Sequence, residues 1–249
     1  MRSCQRGYLL KKRTARQGQN KVSFDRGESP LASKPLLDPL PIPRSSTDMP
    51  FTNHNGAVLW LTGLPAAGKT TLAQNLHRLL EDVGATSIIL DGDELRKART
   101  VPLGYTKEDR DEAVRLAGLE AMQKALDGAI VIVAMVSPFR DARRAVRLRV
   151  NDAGFHFIEV FLDTPIEICI GRDPKGLYGK ALNGELSNMT GINDPYETPE
   201  KPEVIIGWEH SPHSAAQYLI DWVNPLVRES TNQQINKSTN QQINKSTEH

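Results

Sequence analysis

The stretch that decides the fold is Gly63-Leu64-Pro65-Ala66-Ala67-Gly68-Lys69-Thr70, which fits the pattern G-x-x-x-x-G-K-[ST] at each fixed position. The apolar run Ala57–Thr62 precedes it, and Lys69–Val83 follows it with leucines at helical spacing. Between a strand and a helix, such a glycine-rich turn lets backbone N–H groups surround phosphate oxygens at the helix N-terminus. The stretch therefore predicts a phosphate-binding loop (P-loop).

The residues of this loop have different expected roles. Lys69 is expected to reach the β- and γ-phosphates of ATP, and the Thr70 hydroxyl is expected to bind Mg²⁺. The other expected ATP contacts in the loop are Gly63, Leu64, Pro65, Ala66, Ala67, Gly68 and Thr71. The loop does not identify the acceptor, because kinases of many small molecules and nucleotide-driven switches share it.

Strands and helices are predicted to alternate on both sides of the loop. The predicted strands are Ala57–Thr62, Thr86–Leu90, Ala129–Val136, His156–Leu162 and Glu203–Ile206. The helices between them begin near Lys69, Thr106, Asp141, Pro165 and Ala215. Such alternation gives right-handed crossovers and a parallel sheet with helices on both faces. The predicted fold class is therefore α/β, a three-layer P-loop NTPase-type fold, with ligands at the carboxyl ends of the strands.

The two ends of the chain differ in composition from its middle. Residues 1–52 join a basic start to a Pro- and Ser-rich stretch, and residues 229–249 repeat the octapeptide STNQQINK. Both are predicted to be disordered, because they cannot bury enough apolar surface to offset the entropy of ordering. Residues 53–228 are predicted to form one P-loop domain. The basic N-terminus also fits a transit peptide, a solvated tail or a start codon assigned too far upstream, and these alternatives stay open.

Composition and charge narrow the possible functional classes. The net charge of +1 gives no electrostatic reason to expect nucleic acid or a membrane surface as a partner. No apolar run approaches the ~20 residues of a membrane span. Two cysteines, Cys4 and Cys169, provide neither a disulfide framework nor a metal-ligand spacing, which favours a reducing compartment. The sequence therefore predicts a cytoplasmic protein that acts on small molecules.

Polar groups follow the second and third predicted strands at one edge of the sheet. They lie in the segments DGDELR (residues 91–96), LGYTKEDR (103–110) and VSPFR (136–140). Carboxylates can orient an attacking hydroxyl, and aromatic rings beside guanidinium groups suit a flat base that carries anionic oxygens. The segments predict a nucleotide-like anionic acceptor. Taken alone, the acidic turn at Asp91 also fits a helix N-cap.

The order of these segments resembles one known family. GLPAAGKTT, DGDELR, LGYTKEDR, VSPFR, FLDTP, RDPKGLY and TGINDPYE follow each other between about Gly56 and Glu197 as they do in adenylylsulfate (APS) kinases. Those enzymes transfer the γ-phosphoryl group of ATP to the 3′-hydroxyl of APS, giving PAPS and ADP. The resemblance implies this activity, and with it a role in sulfate assimilation. It also makes a homodimer and functional coupling to a sulfate adenylyltransferase expectations for this chain.

The resemblance implies roles for individual residues. The catalytic residues would be Lys69, Asp91 and Ser137, with Asp91 near the 3′-hydroxyl. Ser137 matches a serine often assigned as a phosphoserine intermediate. Direct in-line transfer, with Ser137 as a hydrogen-bonding group, is preferred because phosphoryl transfer depends mainly on positioning and charge neutralisation.

The resemblance also implies a set of binding residues. Arg172 would contact ATP, and Tyr105 would lie on the adenine of APS. The sulfate or phosphate of APS would be held by Arg96, Arg110 and Lys175. The remaining substrate contacts would be Asp93, Val136, Phe139 and Met189. The glycine- and charge-rich stretch Arg172–Pro199 is expected to form a lid over both nucleotides.

The chain departs from the usual family pattern at several positions. Pro65 and Ala66 replace Ser and Gly in the P-loop, and Pro65 removes one N–H donor. On the acceptor side, Ala113 replaces a common Asn and Met189 replaces a common Phe. These losses indicate weaker APS binding or a different acceptor, and the first is preferred because Arg96, Arg110, Ser137, Phe139 and Lys175 remain. A nucleotide-binding domain without turnover is a further alternative, against which the intact Lys69, Thr70 and Asp91 argue.

The remaining charged and aromatic residues are given structural roles. The basic run of the fourth predicted helix, Arg143, Arg144, Arg147 and Arg149, is expected to be a solvated face, with a partner surface as the alternative. Trp60 and Trp208 are expected at the core or its boundary.

Overall fold

The computed structural model describes residues 56–223, in which five parallel strands form one sheet. The strands are β1 (Ala57–Thr62), β2 (Ser87–Asp91), β3 (Ile130–Ala134), β4 (His156–Asp163) and β5 (Val204–Gly207). Their order is β2-β3-β1-β4-β5, and each neighbouring pair is parallel. The predicted α/β fold class is confirmed, with strand bounds that differ from the predicted ones by at most two residues.

Helices connect the strands and continue to the end of the described range. They are α1 (Lys69–Asp82), α2 (Gly92–Lys97), α3 (Lys107–Ala125), α4 (Arg140–Asp152), α5 (Ile166–Arg172) and α6 (Leu177–Leu182), followed by α7 (residues 212–223). The sequence indicated a helix start at Asp91 but no range for α2, and it did not predict α6, because six residues are too few to show a 3.6-residue apolar period. The predictions for residues 1–52 and 229–249 lie outside the described residues.

Alternate side chains of β1 build the two halves of the core. Leu59 and Leu61 pack on the face covered by α1, α6 and α7, and Val58 and Trp60 pack on the face covered by α3 and α4. All six residues of β1 are buried, as expected for the central strand of a parallel sheet. The three layers therefore meet at the strand that leads directly into the P-loop.

The basic run on α4 is not a solvated face, which corrects the expectation from sequence. Arg143 and Arg147, one turn apart, both face the sheet and both bond to Glu159 of β4, whereas Arg144 and Arg149 are exposed. Glu159 lies within an apolar strand, and nothing in its neighbours along the chain indicates a contact with two cations. Trp60 is fully buried as expected, but Trp208 is 46% exposed.

The N-terminus of α3 follows the predicted capping pattern. The Thr106 hydroxyl accepts a hydrogen bond from the backbone N–H of Asp109 at 3.2 Å. Such a bond satisfies one of the four N–H groups that a helix start leaves unpaired. In residues 56–223, no helix combines the length and the apolar character needed to cross a bilayer.

A glycine in the middle of α3 gives a stability prediction. A Cβ atom at Gly118 would lie 2.7 Å from Cγ1 of Val146 on α4. Overpacking of this kind typically costs about 1–3 kcal/mol, more than the ~1 kcal/mol of helix propensity that alanine gains over glycine. We expect Gly118→Ala to lower the melting temperature, measured by circular dichroism.

The matched control is Gly171→Ala in α5, where nothing lies within 4 Å of the added Cβ. That substitution should raise the melting temperature. A higher melting temperature for Gly118→Ala than for the wild type would contradict the close contact between α3 and α4.

Candidate active site

A cavity of about 1030 Å³ lies at the carboxyl ends of the strands. Among the residues predicted to bind ligands, most line it: Pro65, Ala66, Ala67, Gly68, Lys69, Thr70, Thr71, Asp91, Asp93, Arg96, Tyr105, Arg110, Val136, Ser137, Arg172, Lys175 and Met189. Three do not line it, namely Gly63, Leu64 and Phe139. The structure therefore brings the segments before α2, before α3, before α4 and around α6 to one place, as the strand order requires.

The P-loop surrounds the ammonium group of Lys69. Its Nζ donates to the carbonyl oxygens of Gly63 at 3.0 Å and Leu64 at 2.8 Å. These two residues thus act on the lysine through their backbone rather than as cavity walls. Gly68, at the N-cap of α1, has φ of 106°, a left-handed conformation that favours glycine. Burial lowers the pKa of Lys69 to about 8, although Cys169, Asp93 and Asp91 act in the opposite direction.

Side chains from two other segments hold the carbonyl groups of the P-loop. The Arg172 guanidinium donates to Ala66 and Ala67, the Thr164 hydroxyl donates to Ala67, and the Tyr178 hydroxyl donates to Pro65. The sequence did not single out Thr164 or Tyr178, although they lie within the FLDTP and RDPKGLY segments. These bonds fix the loop backbone even though Pro65 has no N–H to contribute.

Asp91 joins the P-loop to the second strand. One of its carboxylate oxygens accepts from the Thr70 hydroxyl at 2.7 Å, and the other accepts from the backbone N–H of Asp93 at 2.9 Å. The second bond caps α2. The N-cap interpretation of the acidic turn is therefore confirmed. Asp91 also lines the cavity beside the P-loop, and its role towards an acceptor hydroxyl stays a prediction.

Tyr105 lies beside two guanidinium groups in the wall of the cavity. The Cζ atoms of Arg96 and Arg110 lie 4.7 and 5.5 Å from the centre of its ring, within the range of cation–π contacts. Arg96 also donates to the carbonyl oxygens of Leu103 and Gly104. Tyr105 is 55% exposed, so its ring has free surface on which a flat group can stack.

Arg110 has a structural role that the sequence did not predict. Its side chain is 10% exposed, and its guanidinium donates to the carbonyl oxygens of Tyr105 and Asn188 and to the carboxylate of Asp194. Burial, the main cause, lowers the pKa of Arg110. The residue therefore links the start of α3 to the segment that carries Met189.

Ser137 is buried in the wall of the cavity. Its residue is 2% exposed, and its hydroxyl accepts from Trp60 Nε1 at 3.0 Å and donates to Thr62 Oγ1 at 3.1 Å. Thr62 Oγ1 also lies 2.9 Å from the Tyr196 hydroxyl. Burial raises the pKa of Tyr196 to about 12. Sequence reasoning missed Thr62 and Tyr196, although Tyr196 lies within the TGINDPYE segment.

The other predicted acceptor-side residues occupy different positions around the cavity. Lys175 forms an ion pair with Asp93, and both side chains are more than half exposed. Met189 and the unusual Ala113 are both buried and both line the cavity. Phe139 points elsewhere: its ring lies under the Lys107 ammonium, 4.8 Å from the ring centre to Nζ. Trp208 reaches the cavity edge after β5.

The arrangement of these segments has a counterpart among known proteins. The family model described as adenylylsulphate kinase matches residues 55–207. The chain belongs to the adenylylsulphate kinase family. The match covers the P-loop, the segments DGDELR, LGYTKEDR and VSPFR and the residues through β5. It therefore includes the whole cavity lining except Trp208, His210, Pro212 and Ala215.

Individual members of the family are similar along most of their length. The adenylyl-sulfate kinase of Rhodopirellula baltica is 42% identical over 188 aligned positions, and the alignment covers 67% of this chain and 76% of that protein. The adenylyl-sulfate kinase of Escherichia coli O6:K15:H31 is 43% identical over 177 residues, 70% of this chain and 87% of that one. The Mycobacterium tuberculosis APS kinase CysC, solved with AMPPNP and APS, is 38% identical with a TM-score of 0.67, and the alignment covers 70% of this chain and 99% of that one.

The lowered pKa of Lys69 gives a prediction for nucleotide binding. Polyphosphate would favour the charged amine and raise its pKa again. Since the pKa in the free protein is about 8, Mg-ATP binding at a pH of about 8.5 should take up a fraction of a proton that falls towards zero near pH 6.5. Titration calorimetry in buffers with different ionisation enthalpies measures this uptake.

The control is Lys69→Met, which keeps the length of the side chain and removes the titrating group. Any proton uptake by ATP itself remains in that variant, so the difference between the two proteins isolates Lys69. Equal uptake in both would show that Lys69 is already fully charged in the free protein at this pH.

Proposed function

We propose that the protein transfers the γ-phosphoryl group of ATP to the 3′-hydroxyl of APS and releases PAPS and ADP. One observation carries the proposal: a single cavity joins the P-loop at Lys69 to the ring of Tyr105 and its two guanidinium neighbours. The first half suits a triphosphate donor, and the second suits a nucleotide acceptor with anionic oxygens. The volume, about 1030 Å³, is at the upper end for small-molecule sites and leaves room for two nucleotides.

The donor side of the cavity consists of the P-loop and Arg172. Backbone N–H groups from Gly63 to Thr71 surround the phosphates, and Lys69 neutralises charge on the β- and γ-phosphates. Two of the three N–H donors of Lys69 bind the carbonyl oxygens of Gly63 and Leu64, and the third is left for a phosphate oxygen. Arg172, already bonded to the loop, contacts the ATP side of the cavity.

Thr70 and Asp91 suit a Mg²⁺ ion. Their oxygens are 2.7 Å apart beside the P-loop, and Mg²⁺ prefers hard oxygen ligands from few protein groups together with phosphates and water. Within residues 56–223, no cluster of three His, Cys, Asp or Glu side chains provides a closed metal cage. The Thr70 hydroxyl would hold the ion directly. Bound there, Mg²⁺ would neutralise the charge that develops on the phosphates during transfer.

The acceptor side positions the attacking hydroxyl. Asp91 accepts a hydrogen bond from the 3′-hydroxyl of APS and orients it for in-line attack. Tyr105 stacks on the adenine, while Arg96, Arg110 and Lys175 contact the sulfate and phosphate groups. Asp93, Val136 and Met189 complete the wall around APS. Phe139 acts indirectly, because its ring does not line the cavity.

Direct transfer between the two nucleotides suits the surroundings of Ser137. Its hydroxyl is buried and is already bonded to Trp60 and Thr62. No general base lies among those partners, so the serine is poorly placed to act as a nucleophile. We therefore assign Ser137 a positioning role in the cavity wall.

The remaining assignments follow from the same reaction. We propose residues 53–228 as the catalytic domain, a cytoplasmic location, and a sulfate adenylyltransferase as the enzyme that supplies APS. The activity itself needs no nucleic acid and no membrane.

The proposal predicts APS-dependent release of ADP by the full-length protein with Mg-ATP, with PAPS identified by mass spectrometry. Lys69→Ala should abolish it. Lys175→Ala should raise the KM for APS by about 10–100-fold, because a charge-assisted hydrogen bond contributes about 1.5–3 kcal/mol. Folding should be unaffected, since the exposed ion pair with Asp93 contributes little to stability.

The control is Lys180→Ala on the exposed side of α6, which removes the same charge but does not line the cavity. It should leave the KM for APS unchanged. ATP binding without APS-dependent turnover, combined with turnover of a different hydroxyl acceptor, would reject APS as the substrate.

The buried position of Met189 gives a second prediction. Met189→Phe adds a π-face where the family commonly has one, and stacking on a base contributes about 1–3 kcal/mol. Methionine already covers part of that surface, so we expect the KM for APS to fall by about fivefold in steady-state assays. Met189→Leu, which adds no ring, should give no gain. A higher KM in Met189→Phe would favour a different acceptor.

A further inference from the structure

Arg143 is a buried cation that lies outside the cavity but contacts its wall. Its side chain is 3% exposed, and each of its three nitrogens bonds to a different segment. Nε donates to Glu159 of β4 at 2.7 Å, Nη1 to the carbonyl oxygen of Ser137 at 2.6 Å, and Nη2 to the carbonyl oxygen of Glu197 at 2.7 Å. The planar fork of an arginine can meet three acceptors at once, whereas a lysine amine cannot reproduce that geometry.

The contact with Ser137 stabilises a strained backbone. Ser137 has φ of 40°, a left-handed value that costs a non-glycine residue free energy and persists only when its neighbours hold it. Arg143 binds the Ser137 carbonyl oxygen on one side, while Trp60 and Thr62 bind its hydroxyl on the other. The position of Ser137 in the cavity wall therefore depends on Arg143.

The contact with Glu197 fixes the end of the segment that carries the acceptor-side residues Lys175 and Met189. The backbone N–H of Glu197 donates to the carbonyl oxygen of Pro138 at 2.9 Å, next to Ser137. The adjacent Tyr196 ring lies 5.8 Å from Cζ of Arg143. Because the Tyr196 hydroxyl reaches Thr62, the contacts form a closed circuit around one corner of the cavity.

A comparison with Arg147 distinguishes the contacts of Arg143 with the cavity wall from its ion pair with Glu159. Like Arg143 it bonds to Glu159, but its remaining bonds go to Glu203 and not to the cavity wall. Glu203 in turn accepts from the backbone N–H of Glu159. The two arginines thus share one buried carboxylate and differ in what else they hold.

We propose that Arg143 is a positioning residue for phosphoryl transfer, which sets the geometry of Ser137 and anchors the acceptor-side segment at Glu197. The inference rests on the proposed function for its kinetic consequence. Arg143 touches neither nucleotide, and it acts by holding the wall against which the acceptor is placed. Arg143 makes no contact with the P-loop. Its loss should therefore lower kcat/KM for the acceptor and leave the Kd for ATP unchanged.

The test compares Arg143→Lys with Arg147→Lys in the full-length protein. Both keep a cation beside Glu159, so both should fold, and thermal melting checks this. We expect Arg143→Lys to lower kcat/KM for APS by about 100-fold, the size of effect that a displacement of about 1 Å produces. Its Kd for ATP should change by less than about twofold. Arg147→Lys should keep kcat/KM for APS within about threefold of the wild type at a similar melting temperature.

A structural readout separates this inference from the proposed function. Arg143→Lys should speed hydrogen–deuterium exchange in the peptides that cover residues 136–139 and 194–199, in the nucleotide-free protein, and Arg147→Lys should not. If the wild type does not phosphorylate APS, the proposed function fails and this readout still decides whether Arg143 orders the wall.

Several outcomes would overturn the positioning role. They are equal kinetic losses in the two variants, a parallel loss of ATP affinity in Arg143→Lys, or unchanged exchange at residues 136–139 and 194–199.

If Arg143→Lys does not fold, Tyr196→Phe replaces it, because that change breaks the contact with Thr62 without touching an ion pair. It should lower kcat with APS at an unchanged Kd for ATP, and wild-type kinetics there would reject the circuit.

Discussion

The parallel pairing of β1 with both β3 and β4 is the constraint on which the rest of the structure depends. Leu61 pairs with Ala134 on one side and with Val160 on the other, so the loops that follow these strands leave the sheet at the same edge. β2 joins the same edge through the pairing of Asp91 with Ala134. Parallel register alone therefore brings the P-loop, Asp91 and Ser137 together, although the chain separates them by tens of residues.

Several residues of the cavity hold two parts of the structure at once. Asp91 caps α2 while it accepts from Thr70, and Arg110 anchors the segment around Asn188 while it flanks Tyr105. Hydrogen bonds within the protein therefore order the cavity. The ammonium group of Lys69, for example, is held by the carbonyl oxygens of Gly63 and Leu64. A ligand that enters must exchange some of these bonds for its own, which makes the site responsive to what it binds.

The sequence predicted what depends on local pattern and missed what depends on distant partners. The P-loop, the cap at Thr106 and β1 follow from neighbouring residues, and they lie where they were predicted. The burial of Arg143 depends on Glu159, a carboxylate within an apolar strand, so a run of arginines resembled a solvated face. Phe139 was assigned to the cavity from a motif, but the turn at Ser137 directs its ring towards Lys107 instead. Helices as short as α6 have too few residues to show a helical period in the sequence.

The shared carboxylate of Glu159 has a consequence for how this protein can change over generations. Loss of Glu159 alone would leave Arg143 as a buried cation without a carboxylate partner. Arg147 would keep its ion pair with Glu203 but lose the one with Glu159. Replacement of these ion pairs by apolar residues, one substitution at a time, must therefore pass through variants that are less stable. Substitutions at positions 143, 147, 159 and 203 are thus bound to one another, and drift at any one of them is slow unless the others change with it.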